Sequence, residues 1–376
     1  ALQERYRSLK MSDTNQTIDS DTLNPLIISD QVYTKGGVQF VGYTQDGKPI
    51  PQLYKGGRLP RSLAHRNSGT VNLIRALEVS SNPYFSLLAS ECLKNPQDLV
   101  EAAKLFSFGE KTGLELPGEI SGHLPQDLST NRTGLYATAI GQHSLVVTPI
   151  QTAVMLSAIA NGGHVFRPTI LKAISGNEPA LAPEDELSLS VFPLQEALSS
   201  IGIDFPLFTA LLPSSESRMR RLAEPRIKRQ IFMPEEVRSM LLRGLQATVL
   251  RTYQEGFSSL LRLYQSRPQA MTDLAQLKSQ IVGKTSTSES VENLDLDRTE
   301  GTAIYTHVWF GCIAFREAKE EAKVATLLKK EPFGEPELVV VVYLRFGGYG
   351  KEAAPVAAEM LKKWRSICNR AKNKNT

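Results

Sequence analysis

Seven consecutive residues late in the chain, Leu338-Val-Val-Val-Val-Tyr-Leu344, are apolar on both alternating faces. Successive side chains of a strand point to opposite faces, so such a run fits a strand covered on both sides. It predicts a central strand, with helices packed on the sheet. No apolar stretch approaches the ~18 residues of a membrane span, and no membrane segment is expected in this chain. Two further stretches have strand texture, Gln280 to Ser288 and Ala303 to Phe315, and the apolar run extends over Glu337 to Phe346. After Gly347-Gly348 the pattern predicts a terminal helix from Lys351 to about Arg365, with Ala353, Val356, Ala357, Met360 and Trp364 on one side.

Helical texture dominates earlier. Val71, Ile74, Leu77 and Val79 precede Ser80-Ser81-Asn82-Pro83, after which Tyr84, Phe85, Leu87, Leu88 and Leu93 resume the period, so two helices meet at a tight corner. A third helix is predicted from Asn95-Pro96 to a stop at Gly109, with Asn as cap and Pro in the first position. A fourth opens at Thr148-Pro149-Ile150-Gln151, a Thr-x-x-Gln capping box, and closes at Gly162-Gly163. Helical periodicity returns from Pro234 to Leu250 and through Leu277. Residues 20–70, rich in Gly and Pro, predict irregular loops between short extended runs. Residues 175–230 combine several prolines, a Ser-rich stretch and the basic run Arg218 to Arg229, which predicts an insert or lid, with an interaction surface as the alternative.

Composition excludes several classes. At 376 residues and 41% hydrophobic content the chain is an ordinary globular polypeptide that needs neither disulfides nor metal to bury a core. Cys92, Cys312 and Cys368 are an odd number at distant spacings and read as small buried hydrophobes, while the five histidines are too far apart for local zinc spacing. No metal or cofactor is expected. The net charge of +4 is smaller than the six basic residues of the last sixteen, Leu361 to Thr376, so it is a tail effect and no nucleic-acid partner is expected. The chain begins with Ala1 and has no signal-like start, which suggests a piece of a longer protein.

Gly283-Lys284-Thr285-Ser286 first suggests a phosphate-binding loop. The frame fails, because Lys278 stands where the initial glycine belongs and no glycine precedes Gly283 to let the backbone wrap an anion. Taken as a strand, Lys284 to Ser288 displays one cation and a row of hydroxyls beside backbone amides, a combination suited to a carboxylate and an oxyanion. Serine acyltransferases of the penicillin-recognising type combine Ser-x-x-Lys, a Ser-Asp-Asn type corner and Lys-Thr-Gly. Ser80-Ser81-Asn82 supplies the corner, and Lys284-Thr285-Ser286 stands where the third element would be.

On these motifs the chain resembles the transpeptidase domain of penicillin-binding proteins. The likeness extends through Thr70 to Phe85, Phe108 to Glu119 with Gly122 to Pro125, Ala139-Ile-Gly-Gln142 through Thr148-Pro149 to Gly163, His307-Val-Trp-Phe310, and Gly348 to Pro355. Together these run from about Val38 to Trp364, and the Tyr84-Phe85 and Gly350-to-Pro355 details resemble the elongation-type class B enzymes. The resemblance implies an α+β fold of the penicillin-binding and β-lactamase kind, an antiparallel sheet flanked by helices plus a helical subdomain. It implies that residues 1–376 are the C-terminal part of one transpeptidase domain: a helical and loop part at about 1–174 with the Ser-x-Asn corner, an insert at about 175–230, and helices, the Lys-Thr-Ser strand, sheet and terminal helix at about 231–376.

Two departures stand out. No Ser-x-x-Lys occurs among the 376 residues, so the resemblance places the nucleophilic serine, the start of its helix and the N-terminal strands upstream of Ala1. The family glycine is Ser286, which strand alternation puts on the Lys284 face, where its hydroxymethyl would crowd the cleft. The roles implied by the resemblance are a proton relay at Ser80, a substrate-amide contact at Asn82 and a fixed cation at Lys284. Thr285 and Thr287 would bind a terminal carboxylate, with Ser286 between them in the substrate-binding strand, and the Thr287 amide would be an oxyanion donor. On local sequence alone Asn82 is equally a helix cap, and His307 and Trp309 are cleft wall or core. The activity implied is a D,D-transpeptidase on peptidoglycan stem peptides or their lipid-linked precursor, acylated by β-lactams. A glycosyltransferase or an elongation or division complex would be its partner, and the setting a periplasmic domain of an inner-membrane-anchored protein. The alternatives are a non-catalytic remnant or scaffold of the same fold and, behind these, a β-lactamase or β-lactam sensor.

Overall fold

The structure is a computed structural model that describes residues 1–12, 18–61, 67–177, 208–213, 218–223, 225–294, 301–316 and 333–374. Helix α1 (Leu2–Ser12) lays Leu2, Tyr6 and Leu9 against a core shared with α2 (Ser20–Leu23). The expected loops of residues 20–70 are instead largely strands. β1 (Ile28–Lys35) and β2 (Val38–Thr44) form a hairpin, and with β3 (Pro49–Pro51) and β6 (Gly69–Val71) they make an antiparallel sheet of order β3-β2-β1-β6. Two local features permit it. Gly36 and Gly37 both have positive φ, as a two-residue hairpin turn requires. At Gly42 a Cβ would lie 1.8 Å from the Ser29 carbonyl oxygen, so only glycine admits that approach. A ribbon of β4 (Leu53–Tyr54) and β5 (Gly57–Arg58) follows.

Helices α3 (Leu73–Val79), α4 (Asn82–Glu91), α5 (Asp98–Leu105), α6 (Arg132–Thr138) and α7 (Pro149–Ala160) come next. The Thr148 capping box of α7 forms as predicted, with Thr148 and Gln151 exchanging side-chain and backbone bonds. Asn95-Pro96 does not open α5. The Asn95 side chain accepts from Gln97 N at 3.0 Å, an Asx turn that delays the helix to Asp98. The part of the expected insert that is described forms strands: β8 (Ala173–Asn177), β9 (Phe208–Pro213) and β10 (Arg218–Ala223) in one sheet, and β11 (Arg226–Gln230) paired with β7 (His164–Arg167). The prolines at 179, 183, 193 and 206 lie outside the described residues.

The second half packs two helices, α8 (Glu235–Leu263) and α9 (Pro268–Leu277), with an antiparallel sheet of β12 (Ile281–Leu294), β13 (Gly301–Phe315) and β14 (Pro336–Leu344), order β12-β13-β14. A 3-10 turn at Gly350–Ala353 leads into α10 (Ala354–Lys374). The apolar run was expected at the centre of the sheet, yet among the described residues β14 is an edge strand and β13 is the middle one. Only Val340 and Val342 of the run are buried, and Tyr343 is exposed. The expected apolar side of the terminal helix holds in its first part only. Ala353 and Ala357 are buried in the core and Val356 packs against it, joined by Ala354, Ala358 and Leu361, while Met360 and Trp364 stay exposed along a groove of about 820 Å³ beside the β14 edge. Small alanines let the helix approach the sheet closely, and the bulky pair is left outside that seam.

Helix α8 fixes the Ser-Ser-Asn corner to the rest of the domain. A Cβ at Gly244 would lie 2.4 Å from Leu77 Cδ1, so α3 and α8 meet there at close range, and Thr248 Oγ1 donates to the Leu77 carbonyl at 2.9 Å. The last turn of α3 is therefore anchored just before Ser80.

Candidate active site

Asn72 caps α3, its Oδ1 accepting from Arg75 N at 2.9 Å, and the helix ends at Ser80, whose backbone is left-handed (φ 54, ψ 52). A non-glycine residue in that region carries strain, and here it turns the chain sharply into α4. Ser81, fully buried, caps α4 by accepting from Tyr84 N at 3.4 Å and donates its hydroxyl to the buried Asp30 Oδ2 at 2.6 Å. The cap is thus Ser81 and not Asn82. Asn82 is the first helical residue and its Nδ2 donates to the Arg61 carbonyl at 2.9 Å, leaving its side chain on the wall of a cavity.

That cavity, of about 490 Å³, brings together Ser80, Asn82, Lys284, Thr285, Ser286 and Thr287. Lys284 Nζ donates to Ser80 Oγ and, at 2.9 Å, to the Thr285 carbonyl. Among the described residues no carboxylate pairs with it. Burial therefore acts unopposed and draws its pKa from the ordinary 10.5 down to about 8. A lysine so placed gives up its proton more readily than an exposed one and is within hydrogen-bond reach to exchange it with the Ser80 hydroxyl.

Strand β12 is the other edge of the three-stranded sheet, and its free side faces this cavity. Within a strand the N–H and C=O of one residue point the same way, and residues two apart share that direction. The Thr285 carbonyl is taken by Lys284 and the Thr287 carbonyl by Gln142 Nε2 at 3.3 Å. Each carbonyl is thus covered by one donor, and strand geometry turns the Thr285 and Thr287 amides to the same edge. Gly350 N donates to Thr287 Oγ1 at 3.0 Å, which leaves the hydroxyl proton of Thr287 free to be given elsewhere. An edge of donors beside a lysine suits an anionic or carbonyl oxygen.

A second cavity of about 610 Å³ adjoins the first on the face of β12 that carries Lys284, Ser286 and Ser288. Trp309 and Tyr343, register partners in line with Ser286, form its wall together with His307, as the cleft-wall reading expected. Ser286 is exposed and borders both cavities, so its hydroxymethyl stands on the Lys284 side of an open space. Asp30 is not singled out by the sequence, and Gln142 and Gly350 stand there only within the stretches that carry the resemblance, with no site role of their own. Asp30 was the most findable, the one carboxylate of β1, two residues after the buried Ile28 and so on the same inward face.

A profile of the penicillin binding protein transpeptidase domain matches residues 54–331. The chain is 31% identical over 119 residues to the peptidoglycan D,D-transpeptidase MrdA of Acinetobacter baumannii, covering 30% of this chain and 17% of that protein. It is 33% identical over 162 residues to penicillin-binding protein H of Bacillus subtilis, covering 37% and 22%. The chain spans about a fifth of the length of these curated relatives. Penicillin binding protein 3 of Mycobacterium tuberculosis superimposes with TM-score 0.51 at 19% identity, covering 92% of this chain and 58% of that one. In complex with ampicillin it gives TM-score 0.51 at 17% identity, covering 97% and 61%. At these identities the structural likeness is one of fold.

Proposed function

Because the chain belongs to the penicillin-binding protein transpeptidase domain family, we propose that its cleft is the recognition and proton-transfer part of a serine D,D-transpeptidase acting on peptidoglycan stem peptides. The observation that carries this reading is Lys284 on Ser80 beside a β12 edge whose Thr285 and Thr287 carbonyls are each already covered by a side-chain donor. Thr285 and Thr287 hold the terminal carboxylate of a D-alanyl-D-alanine stem, Asn82 the preceding amide, and the Thr287 N–H receives the developing oxyanion. The nucleophile is a serine outside these 376 residues, reaching the boundary between the two cavities where Lys284 lies. Its Oγ forms an ester with the penultimate D-alanine carbonyl, the C–N bond to the last D-alanine breaks, and Ser80 and Lys284 deliver the proton to the departing amine. An amine of a second stem then attacks the ester, forming the cross-link amide and returning the proton to serine. A β-lactam opens on the same serine and stays attached.

The whole protein is, on this reading, an inner-membrane-anchored enzyme of elongation type with a periplasmic catalytic domain, contributing to cell shape beside a glycosyltransferase partner or within an elongation or division complex. The lack of Ser-x-x-Lys among these residues favours one rival, a non-catalytic scaffold of the same fold. Fluorescent penicillin separates the two. The full-length protein is acylated, and Lys284→Ala slows acylation at least ten-fold because the cleft loses its fixed cation. An unlabelled full-length protein supports the scaffold.

A further inference from the structure

The contact between Gln142 and Thr287 is held in place by an arrangement that the proposed chemistry does not otherwise need. Gln142 lies in the turn Gly141-Gln142-His143 after α6, where Gln142 N donates to the Ala137 carbonyl at 2.9 Å. Gly141 (φ 79) and His143 (φ 71) are both left-handed. Glycine takes that conformation freely, whereas a side chain is strained in it. At His143 the side chain itself supplies a restraint, with Nε2 at 3.0 and 3.2 Å from the two Asp127 oxygens. Asp127 is fixed in turn by Asn131 Nδ2 at 2.7 Å, and Asn131 Oδ1 caps α6 by accepting from Gly134 N at 2.7 Å. A Cβ at Gly134 would lie 3.0 Å from His143 Nε2, so the imidazole is seated tightly on the first turn of the helix.

We propose that Gln142 is a positioning residue of the cleft, its side-chain amide covering the Thr287 carbonyl, and that the His143 to Asp127 contact holds the turn that presents it. This rests on the function proposed above. Thr287 is then gripped from two sides, through its carbonyl by Gln142 and through its hydroxyl by Gly350. Without Gln142 an uncovered carbonyl would stand beside the amides that receive the substrate carboxylate and oxyanion, opposing negative charge where the cleft must attract it.

The test is the second-order rate of fluorescent-penicillin acylation of the full-length protein. Gln142→Ala and Gln142→Glu, which keeps the shape but not the donor, lower it about two- to ten-fold, the span of one lost hydrogen bond, with melting temperature little changed. His143→Ala keeps the left-handed strain without the restraint and slows acylation comparably, while His143→Gly acylates faster than His143→Ala. If His143 acts through Gln142, the double variant Gln142→Ala/His143→Ala is no slower than Gln142→Ala alone. Losses that multiply, or Gln142 variants at the wild-type rate in a protein that is itself acylated, overturn the inference. A wild type that is not acylated overturns the proposed function and this inference with it.

Discussion

Replacing Gly350 by alanine should both destabilise the domain and slow its acylation. Gly350 is buried where the segment entering α10 passes over β12, and its N–H donates to Thr287 Oγ1 at 3.0 Å. A Cβ there would lie 2.6 Å from Ser286 O, 2.8 Å from Ser286 N and 3.0 Å from Ser286 C. All three are backbone atoms, so no rotamer change relieves the overlap. Reaching the ~3.5 Å of ordinary contact requires roughly 1 Å of backbone movement. Over-packing costs about 1–3 kcal/mol, and the stretched bond to Thr287 about 1 kcal/mol more. At about 2 °C per kcal/mol for a domain this large, the melting temperature falls about 4–8 °C. Gly348→Ala is the control. Its Cβ would meet Glu352 Oε1 at 2.6 Å, the end of a flexible side chain that can swing aside, so the cost is at most the exposed bond from Gly348 N to Glu352 Oε2, about 1 kcal/mol. Thermal unfolding by circular dichroism and fluorescent-penicillin acylation read the two effects. A Gly350→Ala protein that melts with the wild type and acylates at its rate would refute the reasoning.

Lys284 predicts two pH dependences of opposite sign. Desolvated within the cleft, its ammonium has a pKa of about 8 against an ordinary 10.5, so the unfolded chain binds the proton more tightly between those values and the folded state gains stability as pH rises through them. A Lys284→Met variant should therefore be more stable than wild type at neutral pH by a margin that closes towards pH 10.5, measured by denaturant titration; a constant margin would contradict it. Acylation, which needs the charge, should fall as pH rises through about 8, and stopped-flow rates for Lys284→Arg should lack that limb. Ser286→Gly should keep the fold at a cost of about 1 kcal/mol for glycine in a strand and speed acylation by removing the hydroxymethyl from the Lys284 side; an equal or slower rate would show that Ser286 is accommodated or useful. Asp30→Ala strips the buried Ser81 hydroxyl of its acceptor and should cost about 1.5–3 kcal/mol by denaturant titration, whereas a change under 0.5 kcal/mol would remove Asp30 from the support of the corner.

What could be read from the sequence was what neighbouring residues decide. The Thr148 capping box, the bend at Ser80-Ser81-Asn82 and the strand through Lys284-Thr-Ser-Thr each depend on groups a few residues apart, and each is where it was expected. What escaped depends on distant partners. Asp30 meets Ser81 across 51 residues, Gly350 meets Thr287 across 63 and Gln142 meets Thr287 across 145, with no local pattern marking any of these pairs. The β1–β2 hairpin was hidden because the glycines and prolines around it signal turns, while Ser29, Asp30, Gln31 and Gln39 break the apolar alternation of its strands. Leu338 to Leu344 was correctly a strand, but apolarity on both faces does not say which edge of it finds a partner.

Mass-spectrometric mapping of the penicillin adduct on the full-length protein tests the central claim most directly. Lys284 touching Ser80 puts a serine and a lysine of lowered pKa in contact within this chain, so Ser80 is the competing site of attachment. The account predicts that the label sits on a serine outside residues 1–376, with Ser80 and every other residue of the chain unmodified. An adduct on Ser80, or on any residue from Ala1 to Thr376, would contradict it.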